Sequence, residues 1–126
     1  MKPTVPIITS VRLPLPGSMR ASGGRAKAGE RKLRKQRCFD EAAIMLAGWK
    51  GKVSDQVDHE LRVEVHMPLR NDKGYRLKVD PHNHMPALID AVAKGLGIDD
   101  KAFLHTVCEG VHDKDEHAMV SVGKII

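Results

Sequence analysis

The sequence predicts an α+β fold: one compact domain, 1–126, with a mixed or antiparallel sheet and two main helices. Three observations carry this expectation. The chain has 126 residues, 41% of them hydrophobic, which is enough for one modest core. Some stretches repeat apolar residues at helical spacing, and others alternate them or cluster β-branched residues as strands do. The resulting order, βαβ(β)αββ, is not the strict alternation of a doubly wound fold.

Each element has its own local reason. Residues 5–15, VPIITSVRLPL, are β-branched and stop at Pro14 and Pro16, which predicts a first strand. Residues 16–29, PGSMRASGGRAKAG, mix Gly, Ser and basic residues without periodicity and read as a flexible basic loop. Residues 30–48 predict a helix, with Leu33, Phe39, Ala42, Ala43 and Leu46 on its apolar stripe and Gly48 and Gly51 ending it. Its first turns place Arg31, Lys32, Arg34, Lys35 and Arg37 around most of the circumference, so that end must face solvent or a ligand. In 57–68, Leu61, Val63, Val65 and Met67 alternate with Glu60, Arg62, Glu64 and His66, which predicts a strand with one dry and one wet face. A polar loop and a short strand, Leu77-Lys78-Val79, then deliver Asp80. A second helix over 84–94 carries Leu88, Ala91 and Val92 and stops at Gly95. Strands near 102–111 and 117–124 close the chain.

Charge and composition narrow the function. Residues 1–40 hold ten Lys and Arg against Glu30 and Asp40, a balance of +8, while residues 41–126 hold eleven against fourteen acids, a balance of −3. A basic segment on a mildly acidic body suits a polyanion, and also suits a solvated helix face or arm. The only aromatics are Phe39, Trp49, Tyr75 and Phe103, too few for base-stacking platforms. No apolar run approaches the roughly 20 residues that cross a bilayer. Thr9, Ser10, Arg12 and the nearby prolines break up any secretory signal, so a cytoplasmic protein without membrane contacts is expected. Cys38 and Cys108 match no zinc spacing and read as small apolar residues. Met45, Met67 and Met85 read as core filler, His84 as a surface residue, and His105, His112 and His117 as exposed strand and turn positions. No glycine-rich loop precedes a Lys-Ser/Thr signature, so no nucleotide cofactor is expected.

The chemistry concentrates in Val79-Asp80-Pro81-His82-Asn83 and, one helix later, Gly97-Ile98-Asp99-Asp100. Two readings fit. If the helix brings its flanks to one sheet edge, Asp80 and Asp100 face one another and form a divalent-cation site that activates water against a phosphodiester. Otherwise Asp80 and Asn83 cap a helix and Asp99-Asp100 make a polar turn.

This stretch resembles the RusA-type Holliday junction resolvases of phage and bacterial origin. That family carries a strand ending Asp-x-Asp-Asn, a Lys three residues on, then Asp-Ala-Leu, a glycine turn and an Asp-Asp pair. Here the match is Asp80-Pro81-His82-Asn83, Asp90-Ala91-Val92 and Lys94-Gly95-Leu96-Gly97-Ile98-Asp99-Asp100. Leu13-Pro14-Leu15-Pro16-Gly17-Ser18 resembles the family's proline-rich opening, and Val65-His66-Met67-Pro68 precedes the motif as in the family. The resemblance covers nearly the whole chain, and residues 79–100 are its specific part.

It implies a Mg²⁺-dependent, homodimeric endonuclease that nicks branched DNA in recombination or repair. Asp80 and Asp100 match the metal-binding carboxylates. Asn83 and Asp90 match residues that orient the site, Asn83 toward the nucleic acid. Arg31, Lys32, Arg34, Lys35 and Arg37 would grip phosphates. Two positions depart from the pattern: His82 stands where the family has its second Asp, and Pro86 where it has its Lys. An imidazole at position 82 can itself ligate, and it shifts the preference from Mg²⁺ toward Mn²⁺. A catalytically silent junction-binding protein on the same fold is the alternative.

Overall fold

The computed structural model describes the backbone of residues 3–17 and 25–126, and the side chains of all of these except 25–28. Its elements are β1 (Thr4–Leu13), α1 (Arg25–Met45), β2 (His59–Met67), α2 (Met85–Leu96), β3 (Phe103–His112) and β4 (His117–Ile125), with 3-10 turns at Ala47–Trp49, Pro81–His84 and Asp100–Ala102. The four strands form one mixed sheet in the order β1-β4-β2-β3. β4 runs antiparallel to both β1 and β2, and β2 runs parallel to β3. This is the α+β domain with two main helices that the sequence predicts.

The alternation in β2 sets the layering. Leu61, Val63, Val65 and Met67 are buried under the helices, and the opposed residues of β4, Val122, Val120 and Ala118, are buried with them. Arg62, Glu64 and His66 therefore point to the other face, because successive strand residues alternate sides. On α1 the buried positions are Cys38 and Ala42, and Leu46, just past its end, continues the four-residue repeat on the same side. They meet α2, whose Leu88, Ala91, Val92 and Leu96 are buried at helical spacing. The helices touch most closely at Gly95, where an added Cβ would stand 3.0 Å from the Ala42 carbonyl oxygen and 3.1 Å from Leu46 Cδ1. Gly97 ends α2 in the left-handed conformation, φ 73°.

Several expectations need correction. The loop expected over 16–29 ends earlier, because α1 already begins at Arg25. The alanines and basic residues there favour a helix enough to outweigh Gly29; the part of that loop over 18–24 lies outside the described residues. The same helix stops at Met45, short of 48. Leu33 is 73% exposed: it lies five residues before Cys38, roughly 140° around the helix from the buried stripe. Met45 is exposed instead of filling the core. Leu77-Lys78-Val79 forms no strand; Leu77 N–H donates to the Leu69 carbonyl within its own loop at 2.8 Å. His84 and His117, expected at the surface, are both buried. His117 is covered because β4 pairs with β2, which seats it beside His66.

Gly95→Val tests the helix contact. Overpacking against a backbone carbonyl costs about 1–3 kcal/mol, more than the helix propensity regained. A lower urea midpoint with an unchanged slope is the expected result, and an unchanged midpoint would contradict the close approach of the two helices.

Candidate functional site

Parallel strands must be joined by a crossover, and here the chain leaves the end of β2, loops through 68–80 and starts α2 above the same end of the sheet. The loop is tied down by its own backbone. His112 Nδ1, at the end of β3, accepts from the N–H groups of Leu69 at 3.0 Å and Arg70 at 3.3 Å. The Asn71 side chain accepts from the N–H groups of Lys73 and Tyr75 at 2.9 and 3.0 Å, and Gly74 supplies the positive φ that the turn requires. Pro81 then docks on β3 at Gly110, where an added Cβ would lie 2.8 Å from its Cγ. Gly110 is thus what lets the Asp80 segment sit against the strand. A cleft of about 430 Å³ results, walled by Arg70, Arg76, Asp80, His82, Gly110 and His112.

Asp80 opens the 3-10 turn before α2. Its Oδ1 accepts from the His82 N–H at 3.0 Å and stands 3.4 Å from His82 Nδ1, while its carbonyl accepts from Asn83 N–H at 3.1 Å. Asp80 is therefore a cap and also a carboxylate paired with an imidazole, both exposed. Asp99 caps the later turn, accepting from Lys101 N–H at 2.9 Å. That N–H, and then the Asp100 side chain, hold the Asp99 carboxyl below its ordinary value. Hydrogen bonding to Asp99, followed by burial and the charges of Asp99 and Asp90, pushes Asp100 up.

Asp99 and Asp100 sit side by side, with Asp90 of α2 near enough for its charge to act on Asp100, and Asp80, His82 and Asn83 cluster in the turn before α2. The structure does not bring the two groups to one another. Asp80 precedes α2 and Asp100 follows it, and the 12 residues of that helix span about 18 Å. Asp80 with His82 offers one carboxylate and one imidazole. That set suits a divalent cation shared with a substrate phosphate, and Mn²⁺ better than Mg²⁺.

The basic turns of α1 lie at the same end of the sheet. Lys32, Arg34, Lys35 and Arg37 are exposed and Arg31 is half-buried. Arg34 is tied to Glu30 at 3.2 Å and lies over Gly17, with its Cβ 3.9 Å from a Cβ placed there. Buried His84 stands between these parts, where the charges of Glu116 and Arg34 and the Gly17 backbone act on it.

Sequence reasoning missed Arg70, Arg76 and His112 as cleft residues, since nothing in RNDKGYR shows that it folds back onto the end of β3. It also missed a trio on the other face of the sheet. Among the described residues, His66, Asp113 and His117 are the one group of three ligand-type side chains whose donor atoms lie within 4.8 Å of one another. No helix among these residues is long and apolar enough to cross a membrane. No family model and no curated protein matches the chain.

Burial pushes the His84 imidazole below its ordinary value, and burial pushes His59 the same way. The unfolded chain takes up these protons near pH ~6.5 and the folded chain resists them, so stability falls as pH drops below that value. The urea midpoint should decrease between about pH 7.5 and about pH 5.5, and His84→Gln should decrease less. Equal decreases in both proteins would remove His84 from the account.

Proposed function

We propose that this chain is a divalent-metal-dependent endonuclease acting on branched DNA, as the RusA-type resolvases do, working as a cytoplasmic homodimer. The observation that carries the reading is the cleft at the shared end of β2 and β3, whose walls combine the Asp80–His82 pair with Arg70 and Arg76. Two guanidiniums match the planar, bidentate recognition of a phosphate. Asp80 and His82 would hold the cation, which when bound supplies Lewis-acid activation of water and phosphate. Arg70 and Arg76 would orient the scissile phosphate and neutralise charge that develops on it. Arg31, Lys32, Arg34, Lys35 and Arg37 would bind flanking phosphates, which position a nucleic acid without reading its sequence. Asn83, in the turn before α2, would add a polar contact to the nucleic acid. Two nicks in one four-way junction call for two sites related by symmetry.

The catalytically silent junction binder is kept as a second reading because one observation favours it. Asp99 and Asp100 lie beyond the far end of α2 and Asp90 lies midway along it, so the cation site at Asp80 has a single carboxylate.

A synthetic four-way junction and a linear duplex of equal length, incubated without metal, with Mg²⁺ and with Mn²⁺, separate the two readings. Paired nicks are expected with Mn²⁺ at least as efficiently as with Mg²⁺. Asp80→Asn keeps the cap, because Asn caps as well as Asp, and it should lower the nicking rate by about 100-fold or more. Junction binding without product under any metal would select the silent binder. Absence of junction binding would overturn both. In the binding assay, Lys32→Ala with Lys35→Ala should reduce the slope of log K against log salt by about 0.9 for each phosphate that is no longer neutralised. An unchanged slope would remove this face of α1 from the interface.

A further inference from the structure

Strand β4 does not pair with β3, its neighbour in sequence. Residues 113–116 instead pass over the end of β2, anchored by Asp113 N–H donating to the Met67 carbonyl at 3.1 Å. This passage sets Asp113 over His66, and the register sets His117 directly opposite His66. The two imidazoles stack with centroids 4.2 Å apart.

Each of the three side chains is held on the side away from the others. His117 Nδ1 lies 2.8 Å from the Asp115 carbonyl oxygen, which fixes a hydrogen there and leaves the Nε2 lone pair available. Asp113 Oδ1 accepts from Asp115 N–H at 2.9 Å, leaving Oδ2. His66 Nε2 lies 3.1 Å from Glu64 Oε1, and His66 Nδ1 lies 3.1 Å from that Asp113 Oδ2. A neutral imidazole carries one N–H, so it cannot donate to two carboxylates at once. Either a second proton, which makes the ring an imidazolium donating to both carboxylates, or a metal cation between Nδ1 and Oδ2 satisfies this pair. A ligating histidine whose second nitrogen donates to a carboxylate or a backbone carbonyl is the usual outer arrangement of a metal site.

We propose that His66, Asp113 and His117 bind one divalent ion of the zinc class, with Glu64 and the Asp115 carbonyl as positioning groups. Two imidazoles and one carboxylate favour borderline ions such as Zn²⁺ over Mg²⁺, and a tetrahedral site would keep its fourth position open to water or a ligand. Tetrahedral zinc ligands stand about 3.4 Å apart, so binding draws the donor atoms together and splays the stacked rings. The site is separate from the Asp80–His82 pair: His66 points to the helix-free face, whereas the cleft wall includes His112, partnered with buried Met67 on the helix side.

Equilibrium dialysis of the full chain against Zn²⁺ alone tests this, with Co²⁺ absorption as the report on geometry. The expected result is one Zn²⁺ per chain in the wild type, in Asp80→Asn and in His82→Ala, with tetrahedral Co²⁺ bands. Glu64→Gln, exposed and outside the ligand set, should weaken affinity ten- to hundredfold. Asp113→Asn keeps the turn's acceptor and should weaken it further. Stoichiometric zinc that is unaffected by either change would overturn the proposal, as would a wild type that binds none. Loss of zinc in His82→Ala would move the ion to the cleft and overturn it too. Failure of junction cleavage alone would leave this result untouched.

Discussion

Pairing β2 and β3 in parallel obliges the chain to travel the length of the sheet between them, and α2 is that crossing. Its start is thereby fixed above the ends of β2 and β3, where the loop 68–80 also lies, and its finish above their beginnings. Because α1 packs beside α2 with Ala42 on Gly95 and Arg34 near His84, the basic turns of α1 come to the same end as the start of α2. Ligand sites in open sheets form where parallel strands end, since helix starts and loops converge there. The cleft with Asp80, His82, Arg70 and Arg76 is such a place. Gly110 completes it, because a side chain there would push Pro81 and with it Asp80 off the strand.

A second consequence comes from the remaining strand. With β3 on one flank of β2, the other flank is taken by β4, and the short link between β3 and β4 has to bridge the end of β2. That bridge carries Asp113 onto His66. One sheet end therefore presents a basic helix and a carboxylate–imidazole cleft on the helix side, and two imidazoles with a carboxylate on the open side. The far end carries Asp99, already occupied in capping through the Lys101 N–H, with Asp100 beside it, while Asp90 lies midway along α2.

Much of the fold was legible. The alternation in 57–68 and the apolar spacing in α2 are consequences of burial, so they mark β2 and α2 in the sequence directly. Harder to read was what depends on partners distant in sequence. Leu77-Lys78-Val79 has strand composition but finds no neighbouring strand, and Leu33 has the right chemistry at the wrong angle. The site was half legible: Asp80, His82 and Asn83 cluster because they are neighbours in sequence, whereas the expected meeting of Asp80 with Asp100 required the two ends of a helix to converge. His66, Asp113 and His117 were hidden for a different reason. A four-residue link between strands ordinarily signals a hairpin, and no local pattern reveals that β4 passes over β3's partner instead.

The claim that function resides at the end of the sheet where β2 and β3 finish is tested most directly by following backbone amide signals of the isotopically labelled chain while a four-way junction is added at moderate salt. Shifts confined to residues 31–37 and 69–84 are expected, with Lys50–Asp58 and Asp99–Lys101 unmoved. Shifts centred on Asp90, Asp99 and Asp100, or no localised shifts at all, would contradict it.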